Sequence, residues 1–302
     1  MWFFLSLAAG SIQAARNGLS RSLAIKVSPT MITWARFTFS LPFITTLIAF
    51  LLLRQGNPLL SPLFYAYCLA TALFQLLGNI ALVAAFERAN YAQSIILHKL
   101  EVVFTAIIGL TLFDEVPSAV GWLGVLISCG GVLLMNFGRE SGPAGWRRAL
   151  HFDAGAVLSL TCAAFLVFTS FMLKGATQEF ALLNPRVGAG RFEAAAQTLF
   201  HTTWMEVAIL TLALLWTRPR EFSRVPQHWQ RMLLIGLAGS SASICWFWAY
   251  SLTLVAYVKA VGQIEAIFAV AMAVRIWSET EVWRQLPGIA LILAGIGLLL
   301  LG

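Results

Sequence analysis

The residues in this sequence whose types invite chemistry are ionisable side chains set inside long apolar runs. Glu101 lies within a run from 91 to 113, with Lys99 two positions before it and His98 about a turn before. Glu265 lies in a run from 255 to 277, with Gln263 nearby and Lys259 about a turn and a half away. Arg16 and Asn17 interrupt the first apolar run, Arg36 sits in the second, and His201 and Glu206 sit in the seventh. Such groups are costly in hydrocarbon and face a cavity or a partner. Two uses are open for the glutamates. Burial can make a carboxylate a reversible proton carrier, or the glutamates can be permanent partners of Lys99, Lys259 or the arginines that fix helix packing. Arg16 and Arg36 either attract an anionic group or pair with Glu206, and His98 is either a proton group or a hydrogen-bonded helix residue. Trp246 and Tyr250, four apart, share a helix face, where they either pack or stack against a ring.

The elements that must hold these residues follow from composition. Of 302 residues, 59 % are hydrophobic and 11 % charged, far fewer charges than the quarter or so of a soluble domain. A bilayer crossing needs about 20 residues, and continuous rather than alternating apolar runs select helices. Ten runs are predicted: 2–26, 30–53, 62–86, 91–113, 118–137, 153–174, 192–216, 231–251, 255–277 and 281–301. The chain therefore reads as an all-α polytopic membrane protein of ten transmembrane helices, with tryptophans such as Trp2, Trp216 and Trp277 near span ends. A net charge of +7 comes mostly from arginines in short loops, which favours a membrane protein over a nucleic-acid binder. Cys68, Cys129, Cys162 and Cys245 all lie in apolar runs without metal-ligand spacing. No His-Glu-x-x-His, Gly-x-Ser-x-Gly or phosphate-binding loop occurs, so neither an enzyme nor an ATP-driven pump is expected, and no cofactor or metal.

An internal repeat organises the chain. Shifting it by 164 residues lays 85–138 on 249–302 and matches Glu101 with Glu265, Phe104 with Phe268 and Glu115 with Glu279. The same shift matches Gly124 with Gly288 and Gly131 with Gly295, a pair seven apart on one helix face in each half, where backbones can approach closely. Five crossings per half turn the second half over, giving inverted repeats with a site expected near the midplane between them. The halves are expected at 1–138 and 153–302, joined by 139–152.

The glutamate of the fourth run, then Phe113-Asp114-Glu115-Val116-Pro117, then a glycine-bearing fifth run resembles the EamA domain of the drug/metabolite transporter superfamily. The signature returns from Trp277 to Glu281, and Arg36 marks the opening of the first half. The resemblance implies a ten-helix bundle around a central cavity that carries metabolites or amino acids, often outward. Its partners would be a small-molecule substrate, the lipid bilayer and a coupling proton. A multi-pass protein of a bacterial inner membrane is expected, monomeric or homodimeric. A flippase of lipid or lipid-linked head groups is an alternative on the same fold. Ten basic loop residues on one face against four on the other put both termini outside, whereas the resemblance puts them in the cytoplasm.

Overall fold

The structure, a computed structural model, describes residues 1–24, 27–88, 100–137, 154–185, 190–265, 267, 268, 271 and 286–301. Every regular element among them is helical. In chain order these are α1 (Trp2–Ala24), α2 (Pro29–Thr38), α3 (Leu41–Gln55), α4 (Pro62–Arg88), α5 (Glu101–Leu112) and α6 (Ala119–Phe137). There follow α7 (Ala154–Leu183), α8 (Gly190–Thr217), a 3-10 turn (Pro219–Arg224), α9 (Val225–Leu252), α10 (Val255–Gly262) and α11 (Leu286–Leu299). Five segments are long and apolar enough to cross a membrane: Pro29–Gln55, Pro62–Ala81, Val157–Leu183, Gly190–Thr217 and Pro219–Leu252. Glu101–Leu112, Ala119–Leu134 and Leu286–Leu299 are shorter apolar helices.

Several elements depart from the sequence expectation for identifiable reasons. The predicted span 30–53 is two helices, broken at Phe39–Ser40. Pro42 has no N–H to give Thr38 O, the carbonyl one turn back, and at the break Ser40 Oγ donates to Phe37 O at 2.6 Å. The predicted span 153–174 continues to Leu183, so the loop expected at 175–191 is much shorter. Lys174 followed by Gly175 imitates a helix stop, yet Gly175 serves packing: a Cβ there would lie 2.8 Å from the Tyr67 ring. Asn184 then ends the helix, its side chain accepting from Leu59 N and donating to Leu59 O, each at 2.9 Å. The span expected from 231 begins at Val225, with Pro226 in its first turn, where no intrahelical donor is lost. The span 255–277 turns at Gln263, whose N–H bonds Ala260 O at 3.1 Å. Residues 91–99, 139–150 and the signature at Trp277–Glu281 lie outside the described residues.

The chain packs as two compact units, Met1–Leu73 with Met172–Leu252, and Phe74–Phe171 with Thr253–Gly302. In the first, α1 runs along α9, and α2 and α3 pack on α8 around Leu23, Met31, Leu214, Met232 and Ile235. Trp34 Nε1 donates to Thr211 Oγ1 at 2.8 Å, satisfying a polar ring atom inside that layer. In the second, α6 packs on α11 through glycines. A Cβ on Gly124 would meet Gly295 O at 2.9 Å, and one on Gly131 would meet Gly288 O at 2.6 Å. Residue numbers rise along one helix as they fall along the other, so these two repeat-related helices are antiparallel. α10 lies against α5 and α6 in the same unit.

Candidate functional site

In the second unit the chemistry gathers on α10. Leu254, its N-cap, has an extended backbone but no side-chain oxygen to accept from the first N–H groups. Glu115 supplies one: its Oε2 accepts from Val255 N at 2.8 Å. The turn that delivers Glu115 has Asp114 in the left-handed region at φ 52°, which a short polar side chain tolerates. Phe113 stacks on Phe171 at 4.1 Å, and Glu115 N donates to Gly109 O at 2.9 Å, which fixes that turn on α5 and α7. One turn into α10, Tyr257 Oη accepts from Ser118 N at 3.0 Å. The anchored helix then presents Lys259, 6 % exposed, whose Nζ donates to Leu166 O at 3.1 Å and lies 3.7 Å from Glu101 Oε2. Gln263 follows one turn later, 2 % exposed, with neither amide atom hydrogen-bonded among the described residues. Glu265 is half-buried in the helical segment just after the turn.

In the first unit the chemistry gathers between α2 and α8. The break after α2 sets Arg36 one turn before a kink that fits tightly on α9, where a Cβ on Gly236 would fall 2.6 Å from the Phe39 carbonyl carbon. The Arg36 guanidinium carbon lies 4.9 Å from the Phe37 ring centroid and its stem rests on Gly239. Glu206 of α8, 1 % exposed, is its electrostatic partner, yet Arg36 Nε and Glu206 Oε1 find no hydrogen-bond partner among the described residues. Thr198, Thr202 and Gln197 sit buried on the same helix; Thr198 Oγ1 and Gln197 Nε2 are in the same condition, while the Thr202 hydroxyl has the Cys68 thiol as its neighbour.

The residues singled out in the sequence thus fall into two groups. Glu101 of α5 falls in one unit with Lys259 on α10 and Gln263 at its end, Lys259 Nζ standing 3.7 Å from Glu101 Oε2. Arg36 and Glu206 lie on packed helices, α2 and α8, of the other unit. There Arg16 donates to Asn17 Oδ1 at 2.7 and 3.3 Å, and Trp246 stacks on Tyr250 at 5.7 Å while its Nε1 donates to Gln13 Oε1 at 3.1 Å. His98 and Lys99 lie outside the described residues. Sequence reasoning did not select Thr198, Thr202, Tyr257 or the capping role of Glu115. The spacing of four among 198, 202 and 206 was the available signal for the first two.

Ionisable and amide groups held inside apolar helices, on helices that end or bend at the site, are the arrangement expected where a polar solute passes through a membrane. A model of the EamA-like transporter family matches residues 1–137 and again 153–301. The chain belongs to this family. It is accordingly an integral, multi-pass membrane protein of a transporter family. No curated protein matches it. A crystal structure of a protein 15 % identical, aligned over 99 % of this chain and 96 % of its own at a TM-score of 0.68, shares the fold.

Proposed function

We propose that this member of the EamA-like family is a secondary transporter that exports a small polar metabolite such as an amino acid. Two five-helix repeats, 1–138 and 153–302, joined by 139–152, would sit inverted in a bacterial inner membrane and alternate access to a midplane site. The observation that carries the reading is the α10 cluster. A buried lysine paired with a partly buried glutamate, and a buried amide with unused hydrogen-bonding capacity, stand where an apolar helix face would otherwise pack at lower cost. The antiparallel contact of α6 with α11 supports the inversion, since it relates repeat-equivalent helices. Glu101, Glu265, Lys259, Gln263, Arg16, Arg36, Trp246 and Tyr250, with His98 and Lys99, are the proposed substrate and coupling groups, and protons the proposed coupling ion.

The test is a thermal-shift screen of the purified protein against amino acids, nucleosides, sugars and lipid head groups, followed by uptake of the hits in proteoliposomes. A ligand that prefers the folded state raises the melting temperature by mass action. Stabilisation by polar metabolites with counterflow across the vesicle supports the proposal; stabilisation by lipid head groups alone refutes it. The lipid-flippase reading has one observation in its favour. An open, mostly apolar groove of about 630 Å³ in the first unit is lined by Thr38, Leu41, Thr45 and Trp204, a surface suited to an acyl chain.

A further inference from the structure

The connector between α8 and α9 is short, ordered and strongly basic. Residues 216–231 hold four arginines, Arg218, Arg220, Arg224 and Arg231, against one acid, Glu221. That acid is turned inward. Its Oε2 accepts from Ser28 Oγ, the side chain that also caps α2 by accepting from Met31 N at 3.2 Å. Its Oε1 lies 3.5 Å from Arg218 Nη1. Next to it Phe222 stands edge-on to Trp34 of α2, 5.1 Å between ring centres. The backbone closes tightly as well. Arg218 N donates to Leu214 O at 2.8 Å and Glu221 N to Arg218 O at 3.0 Å, while Pro219 and Pro226 fix the starts of the 3-10 turn and of α9.

With Glu221 and Phe222 held against α2, the turn presents Arg220, Ser223 and Arg224 outward, all exposed. Arg231 is exposed too, and the spacing 224, 228, 231 puts it with Arg224 and His228 on one helical face. Like charges fixed on an ordered turn repel one another, and a bound anion removes that repulsion. The surroundings say which anion. The connector joins two segments long and apolar enough to cross a membrane, Gly190–Thr217 and Pro219–Leu252, so it stands at the bilayer edge. Trp216 is 91 % exposed and Trp229 49 % exposed, one on each side of the turn. An indole, apolar in its body with one N–H, is at home in the headgroup layer. A soluble polyanion would leave both rings in water.

We propose that Arg220, Arg224 and Arg231 form a headgroup site for an anionic phospholipid, with Trp216 and Trp229 seated in the same interfacial layer. The guanidinium groups take the phosphate oxygens through paired N–H donors, and Glu221, held inward by Ser28 and Arg218, does not compete for them. The same turn grips Ser28 and Trp34, so the site ties α2 to the lipid surface. It is separate from the transported solute and needs no substrate to be tested.

The experiment is native mass spectrometry of the full-length protein in detergent, titrated with phosphatidylglycerol, phosphatidylcholine and the chain-free headgroup glycerophosphoglycerol. Wild type is compared with Arg220→Gln/Arg231→Gln and with Arg54→Gln/Arg191→Gln, a control that removes two exposed arginines elsewhere. Each variant is first checked for a melting transition. Wild type is expected to hold phosphatidylglycerol at least about twentyfold more tightly than phosphatidylcholine, from about fivefold per arginine at an anionic surface. Arg220→Gln/Arg231→Gln should bring that ratio below about fivefold, while the control pair keeps it. Equal retention of the two lipids by wild type overturns the site. A loss of preference shared equally by both double variants overturns it too, because net charge rather than this turn would then be responsible. Glycerophosphoglycerol bound as tightly as phosphatidylglycerol makes the ligand a soluble anion and likewise overturns the proposal. Should the first double variant not fold, Arg231→Gln alone decides, with an expected loss of about fivefold.

Discussion

Gly131→Ala tests the closest backbone approach between α6 and α11. A Cβ at this position would stand 2.6 Å from Gly288 O, 2.7 Å from Ile292 N and 2.9 Å from Ile292 Cγ1. Ordinary contact begins at 3.4 Å, and two of the three atoms are backbone, so no rotamer change relieves the clash. The helices must part by up to 0.8 Å, the difference between 3.4 and 2.6 Å. A gap of that size forfeits a quarter to a half of each dispersion contact along the seam, and overpacking of this kind costs about 1–3 kcal/mol. Gly130 next door supplies the control, because a Cβ there meets nothing within 4 Å. Gly130→Ala should be neutral or gain up to about 1 kcal/mol from helix propensity. At about 2–4 °C per kcal/mol for a chain of this size class, Gly131→Ala should melt roughly 5 °C below Gly130→Ala. The readout is tryptophan fluorescence during thermal unfolding of the purified protein in detergent. Equal melting temperatures for the two variants would refute the close antiparallel seam and the inverted pairing built on it.

Tyr257→Phe removes the acceptor of Ser118 N, and should lower stability by about 1–2 kcal/mol in the same melting assay while leaving the helical circular-dichroism signal unchanged. Lys259→Met takes the ammonium from Glu101 and should destabilise by about 2 kcal/mol, discounted from a fully buried pair because the glutamate side chain is 17 % exposed. Adding Glu101→Gln should restore part of that loss, and strict additivity in the double-mutant cycle would show that the two do not interact. Glu101→Gln or Glu265→Gln should remove the pH dependence of uptake in proteoliposomes; if both variants keep the wild-type profile, the carboxylates are structural. The basic-residue count predicts that the loop at 142–148 faces the cytoplasm, so Gly145→Cys should resist an impermeant thiol reagent in intact cells, and labelling there reverses the orientation.

The parts of this fold legible in the sequence are those whose physics acts through residue type alone. Gly124, Gly131, Gly288 and Gly295 announced a tight seam because only glycine lets two backbones meet, whatever surrounds them. Glu101 and Lys259 stood out because a charge inside an apolar run needs a partner wherever it points. Thr198 and Thr202 carried no such mark. A helical threonine bonds its own backbone by default, and only the three-dimensional packing reveals which ones do not. Pro42 was visible, but proline is as common just inside a helix start as at a kink, so the break at Phe39–Ser40 needed coordinates. Lys174-Gly175, at the end of the expected span 153–174, is ambiguous in the same way: such a pair serves a helix stop or, as here, a close packing contact with Tyr67.

The family signature at Phe113–Pro117 acquires a physical role through α10. Glu115 holds the first N–H of that helix, Ser118 bonds Tyr257 two residues on, and Ser128 Oγ donates to Ala260 O at 3.3 Å. Lys259 lies between the second and third of these anchors and reaches Glu101 and Leu166. α10 is thereby tied to the turn before α6, to α6 itself, to α5 and to α7, and its last residues before the Gln263 turn cannot shift alone. A displacement of Lys259 or Gln263 during transport must carry α5 and α6 with it, or break the Glu115 and Tyr257 bonds first. Conservative loss of these anchors, as in Tyr257→Phe, should therefore loosen the positioning of Lys259 before it unfolds the helix. That separates a signature that positions the polar cluster from one that merely ends a helix.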